Sequence, residues 1–176
     1  ITKITKLRDL DKSISFFEKV KSEKKISIFS DYDVDGACAA AICKKFLSQF
    51  DIEVNVYIPN RLNEGYGLNL EAIDKILTFS QNILVLDCGS NNLKEQEYII
   101  NQGGQVMIID HHECELFFDQ AIVVNPKTPN DQSDLDDLCA TALTFLVLVY
   151  LKNENIFPNI DVLQYLDLVA LATICD

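Results

Sequence analysis

Seven acidic or histidine residues close three hydrophobic runs of the chain. Asp31, Asp33 and Asp35 follow Ile26 to Ser30, Asp87 follows Ile83 to Leu86, and Asp110, His111 and His112 follow Val106 to Ile109. If the runs are strands of one parallel sheet, their carboxyl ends share an edge, and ligands bind in the crevice beyond it. Aspartate oxygens joined by imidazole nitrogens suit Mn²⁺ or Mg²⁺ better than a thiophilic metal. Two such cations a few ångströms apart form a clamp for phosphoryl chemistry.

Each motif has a competing explanation. Asp31-Tyr-Asp-Val-Asp-Gly36 alternates three carboxylates and then offers a glycine for a tight entry into a helix. A calcium-binding helix-loop-helix would need a bidentate Glu at the twelfth position, which is Ile42, so that rival fails. A solvated acidic turn is the simpler alternative, although a buried strand and an Ala-rich helix on either side argue for ligands. Asp87 stands where a carboxylate could bridge two cations, or could cap the following helix, for which Asn91 and Asn92 are nearer candidates. His111 and His112 are the only histidines. A neutral imidazole can ligate Mn²⁺ while a carboxylate orients its other nitrogen, and a protonated one can contact a phosphate oxygen or a leaving group. Arg61, in Pro59-Asn-Arg-Leu-Asn-Glu-Gly-Tyr-Gly-Leu68, has the planar fork that grips phosphate, and Tyr66 is available to stack or hydrogen bond. The competing reading pairs Arg61 with Glu64 in an ordinary loop.

The elements that must position these residues alternate. Strands are predicted at 26–30, 52–58, 83–86, 105–109 and 121–124. Helices are predicted at 7–20, from Gly36 onward, and at 70–79, 93–101, 140–151 and 160–174. That order predicts an α/β fold, a parallel β-sheet flanked by helices, in one domain over 1–176. The 176 residues, 48% of them hydrophobic, suffice for one core. A net charge of −12 argues against a broad basic surface for nucleic acid, so any such surface must be local or supplied elsewhere. Asp131, Asp134, Asp136 and Asp137 read as a solvated loop. The six cysteines include no CxxC pair and are expected to be reduced and packed as small apolar groups. No membrane span or signal peptide is evident, so a cytoplasmic protein is expected. Asp176 closes the chain on a strongly apolar helix, from which we expect a piece trimmed from a longer protein.

In that order the motifs resemble the N-terminal catalytic domain of the DHH phosphoesterase superfamily, which is Rossmann-like, over nearly the whole chain. Ser30-Asp-Tyr-Asp-Val-Asp-Gly36 is similar to motif I, Leu86-Asp-Cys-Gly89 to motif II, Asp110-His-His112 to motif III and Asp167 to Asp176 to motif IV. Residues 59–67 resemble the RecJ branch, single-strand-specific 5′ to 3′ exonucleases of DNA repair and recombination. Asp31 stands where other branches carry a histidine. The resemblance implies two Mn²⁺ or Mg²⁺ ions held by Asp33, Asp35, Asp87, His111 and Asp176, with Asp31 close by and His112 facing the scissile phosphate. It also implies in-line attack by water, with Arg61 helping to neutralise charge at phosphorus, and substrate contacts from Arg61, Tyr66 and His112. The partners it implies are single-stranded DNA, held mostly through DHHA1-type and oligonucleotide-binding domains absent from this chain, and a helicase or single-strand-binding protein. RecJ proteins usually carry a glycine-rich stretch where this chain reads Leu138 to Phe145. Two other functions fit the residues: a phosphodiesterase for short oligonucleotides or cyclic dinucleotides, and an inert replication scaffold, against which the intact ligand set argues.

Overall fold

The computed structural model describes residues 3–116 and 118–176. Five parallel strands form one sheet in the order β2-β1-β3-β4-β5. They are β1 (Lys25–Ser30), β2 (Glu53–Tyr57), β3 (Asn82–Leu86), β4 (Gln105–Ile109) and β5 (Ile122–Val124). The helices are α1 (Lys12–Glu23), α2 (Val34–Ser48), α3 (Leu70–Leu77), α4 (Leu93–Asn101), α5 (Ala140–Asn153) and α6 (Leu166–Cys175). The chain leaves β1 to one side for β2 and returns to the other side for β3. The fold's topological switch therefore lies between the carboxyl ends of β1 and β3, where open α/β sheets form their binding crevice.

Strand alternation divides the core in two. Ile26, Ile28, Leu84, Leu86, Met107 and Ile109 face α1, α2 and α5, where Phe16, Phe17, Phe46, Leu143 and Val147 pack on them. Phe29, Ile83, Val85, Val106 and Ile108 face α3 and α4, with Ile73, Ile76 and Ile99. Helices on both faces explain why the strands read as nearly unbroken apolar runs. Cys38, Cys43, Cys88, Cys114 and Cys139 are buried free thiols, and Cys175 is exposed. No helix is long and apolar enough to cross a membrane among the described residues.

Four local expectations need correction. The first helix begins at Lys12 rather than Leu7, because Asp9 is left-handed (φ 57°) and gives its carboxylate to the Val123 N–H at 3.1 Å. Leu7 and Leu10 are buried all the same. The helix expected over 160–174 is split into a 3₁₀ turn at Val162–Tyr165, capped by Asp161, and α6. Asn92 precedes α4 but makes no capping hydrogen bond. The acidic loop is solvated at Asp134, Asp136 and Asp137, where exposed Asp134 pairs with Lys3, but is tied down at Asp131, which accepts from the Arg8 N–H at 2.8 Å and from Ser133.

Candidate metal centre

The sheet ladder runs one residue past the strand ends. Asp31 N–H donates to the Leu86 carbonyl at 3.2 Å, Asp87 N–H to Ile109 at 2.9 Å, and Asp110 N–H to Val124 at 3.2 Å. With Ser30 opposite Leu86, Leu86 opposite Ile109 and Ile109 opposite Val124, the next rung of the sheet reads Asp31, Asp87, Asp110 and Asn125. Three carboxylates from distant parts of the sequence thus stand side by side at the switch point.

The turn out of β1 is built by Asp33 and Gly36. Asp33 caps α2 by accepting from the Gly36 N–H at 2.9 Å, and Ser30 Oγ donates to the Gly36 carbonyl at 2.7 Å. A Cβ at residue 36 would lie 2.5 Å from the Asp31 carbonyl oxygen, so only glycine lets the loop fold this tightly. Asp35, in the first turn of α2, is 2% exposed and turns inward. Its two carboxylate oxygens accept from the Ala140 and Thr141 N–H groups at 2.6 and 2.8 Å, the first turn of α5. Asp87 leaves β3 in a left-handed conformation (φ 60°), a sterically costly state for a side chain of its size.

These turns make three overlapping sets of ligand atoms, each within 4.8 Å: Asp31, Asp33 and Asp87; Asp87, His111 and His112; and Asp35, His111 and Asp176. His111 Nε2 lies 3.3 Å from Asp87 Oδ1 and 3.8 Å from Asp35 Oδ2, while its Nδ1 lies 3.7 Å from Asp176 Oδ2. The buried Oδ1 atoms of Asp31 and Asp87 have no hydrogen-bond partner. Bare buried carboxylate oxygens are costly, and a cation is the natural group to satisfy them. Burial first, and then the Asp35 and Asp33 carboxylates, push the Asp87 pKa up to about 10 in the metal-free chain. Burial likewise raises that of Asp31. The donor set of carboxylate oxygens and imidazole nitrogens fits Mn²⁺ or Mg²⁺.

Asp110 does a different job. Oδ1 accepts from His112 Nδ1 at 2.7 Å and from the backbone N–H groups of His111 and His112, and Oδ2 accepts from Ser90 N–H. Its acceptor sites are taken up by the turn, so it orients the histidines. That contact raises the His112 pKa, burial opposing it. His112 Nε2 is left 3.4 Å from Tyr66 Oη. Burial raises the Tyr66 pKa. Arg61 stays on an exposed loop with its guanidinium 5.3 Å from the Tyr32 ring centre. Glu64 turns elsewhere, to the Asn60 N–H, Tyr57 and Lys75, so no Arg61–Glu64 pair forms.

Sequence reasoning passed over two supports. Asn125, fully buried, donates to Ser90 Oγ at 3.0 Å and to the His112 carbonyl at 2.9 Å. Its signal was available, since a polar residue directly after an apolar strand is the pattern that found the aspartates. The α5 N-terminus under Asp35 left no such signal.

The DHH family, N-terminal domain, matches residues 25–173. The chain belongs to the DHH family. Among curated DHH relatives it is 32% identical over 159 residues to the single-stranded-DNA-specific exonuclease RecJ of Thermus thermophilus, covering 90% of this chain and 23% of the relative. It is 31% identical to RecJ of Bacillus subtilis, over 90% of this chain and 20% of the relative. A crystal structure of exonuclease RecJ bound to manganese superposes with a TM-score of 0.84 at 30% identity, covering 96% of this chain and 43% of that one. The chain thus spans less than a quarter of the length of these curated relatives.

Proposed function

We propose that this DHH domain is the catalytic part of a metal-dependent phosphodiesterase that removes nucleotides from the 5′ end of single-stranded DNA in repair and recombination. The observation that carries this reading is the sharing of ligands: Asp87 belongs to both the Asp31–Asp33 set and the His111–His112 set, and His111 joins the latter to Asp35 and Asp176. A carboxylate shared between two sets suits a pair of cations, Mn²⁺ or Mg²⁺, held a few ångströms apart. When bound, those cations would polarise the phosphoryl oxygens and lower the pKa of water.

The chain's own residues supply the rest. Asp31, Asp33, Asp35, Asp87, His111 and Asp176 hold the cations. His112, oriented by Asp110, whose hydrogen bond raises its pKa, faces the phosphate and can donate a hydrogen bond or, when protonated, a proton to the departing oxygen. Arg61, extended over Tyr32, offers a bidentate grip on a nonbridging oxygen. A net charge of −12 argues against a broad basic surface for a long strand on this chain, which is consistent with strand binding by other parts of a longer protein. All six proposed ligands fall in overlapping sets of neighbouring donor atoms, which favours this reading over an inert scaffold.

Calorimetric titration of Mn²⁺ into the 176-residue chain is the test. Two sites are expected, with at least one lost in Asp87→Ala, alongside slow Mn²⁺-dependent release of nucleotides from short single strands. No Mn²⁺ binding by the folded chain would overturn the reading. Rapid, processive degradation of long strands by this chain alone would overturn the division of labour.

A further inference from the structure

The helix that follows the acidic loop, α5, begins without a cap of its own: Cys139 occupies the N-cap position and makes no side-chain capping bond. The cap comes instead from α2. Asp35 accepts the Ala140 N–H at 2.6 Å and the Thr141 N–H at 2.8 Å, one on each carboxylate oxygen. Thr141 answers with its hydroxyl, donating to the Asp35 main-chain carbonyl at 2.7 Å. Both residues are buried, Asp35 at 2% and Thr141 at 0% exposure. The backbone and the carboxylate of Asp35 are thus both anchored by one residue more than a hundred positions away in sequence.

We propose that Thr141 is a positioning residue for one half of the metal centre, an inference that rests on the two-cation reading above. With one lone pair on each oxygen engaged by α5, the Asp35 carboxylate cannot rotate freely. It presents a fixed remaining direction toward His111, whose Nε2 is 3.8 Å from Oδ2. Asp176 completes that set from the end of α6. The Asp31–Asp33–Asp87 set is built by the tight turn around Gly36 and has no bond to α5 among those that orient it. Thr141 therefore sets the affinity of the Asp35–His111–Asp176 position and leaves the other largely unaffected. Groups that orient metal ligands commonly change affinity by tenfold or more when lost.

The test is Mn²⁺ calorimetry on the full 176-residue chain with Thr141→Val, which keeps shape and removes the hydroxyl, and Thr141→Ser, which restores it. In Thr141→Val, we expect about a tenfold loss of affinity at one of the two sites, with the other unchanged and with recovery in Thr141→Ser. In an Asp176→Ala background that abolishes this site, Thr141→Val should leave the affinity of the remaining site unchanged. Melting curves accompany each titration, because a purely structural role would lower the melting temperature while leaving Mn²⁺ affinity intact. That result, equal weakening of both sites, or failure of serine to restore affinity would overturn the assignment. If the unaltered chain bound no Mn²⁺, the two-cation reading would fall first; two normal sites insensitive to Thr141 would defeat this inference alone.

Discussion

Replacing Asp87 by asparagine is expected to make the metal-free chain more stable while weakening its hold on divalent cations. Asp87 is 1% exposed, its Oδ1 accepts no hydrogen bond, and burial together with Asp35 and Asp33 lifts its pKa from 3.8 to about 10. At pH 7 the unfolded chain carries this group ionised, whereas the folded, metal-free chain holds a proton on it. The folded state therefore binds more protons. This contribution to stability is fully present below the unfolded value of 3.8 and is lost as pH rises toward the folded value near 10. The slope is at most about 1.4 kcal/mol per pH unit, which sets a ceiling of about 4 kcal/mol by pH 7. Local relaxation and water entry reduce that, and a gain of about 1–3 kcal/mol is expected for Asp87→Asn, which mimics the protonated acid in shape and removes its charge. Urea denaturation in the presence of a chelator at pH 5 and pH 8 measures both the gain and the slope. The unaltered chain should lose stability across that interval and the variant should lose less, while Mn²⁺ calorimetry shows the variant losing at least one site. An asparagine variant that is less stable than the parent without metal, that keeps the parent's pH slope, or that binds Mn²⁺ normally would refute the reasoning.

Gly36→Ala should lower stability by about 1–2 kcal/mol, because overpacking against the Asp31 backbone at 2.5 Å outweighs alanine's better helix propensity; a melting temperature at or above the parent's would contradict this. Asp110→Asn should move the His112 imidazole titration to lower pH in the metal-free chain, since the carboxylate is the main cause of its raised pKa. The stabilisation that pair provides is present below the unfolded histidine value, disappears as pH rises through the folded one, and is lost again as pH falls through the lowered pKa of Asp110, so the variant's deficit should be greatest in mildly acid solution. An unchanged midpoint by NMR would rule out the Asp110–His112 coupling. Arg61→Ala should weaken binding of a single-stranded oligonucleotide about tenfold with Mn²⁺ affinity intact, and Arg61→Lys should not restore it, because a planar guanidinium lying over Tyr32 can also hold a phosphate in two places and an ammonium cannot. Full recovery with lysine would show that charge alone suffices.

Much of this architecture is legible in the sequence. Runs such as Ile83 to Leu86 and Val106 to Ile109 are too apolar and too short to be anything but doubly covered strands, and all five predicted strands form one parallel sheet. The aspartates and histidines that follow them had to share an edge, because parallel strands carry their carboxyl ends in the same direction. Errors came where one long-range bond overrides a local pattern. Asp9 breaks a helical spacing that Leu7 and Leu10 otherwise fit, because its carboxylate is held by Val123 on the edge strand.

The sequence alone thus singled out the aspartates and histidines that meet at the sheet edge and the fold class that gathers them, since both follow from strand periodicity and from residue type. Only the tertiary structure decided their division of labour. Asp110 and Asp87 each directly follow an apolar strand, yet the backbone groups around Asp110 occupy its oxygens while Asp87 keeps one that accepts no hydrogen bond. Likewise, nothing near Asp35 in sequence shows that α5 caps it from residues 140 and 141. Hydrogen bonds of that span are fixed by how layers pack, and packing is a property of the whole chain rather than of any segment of it.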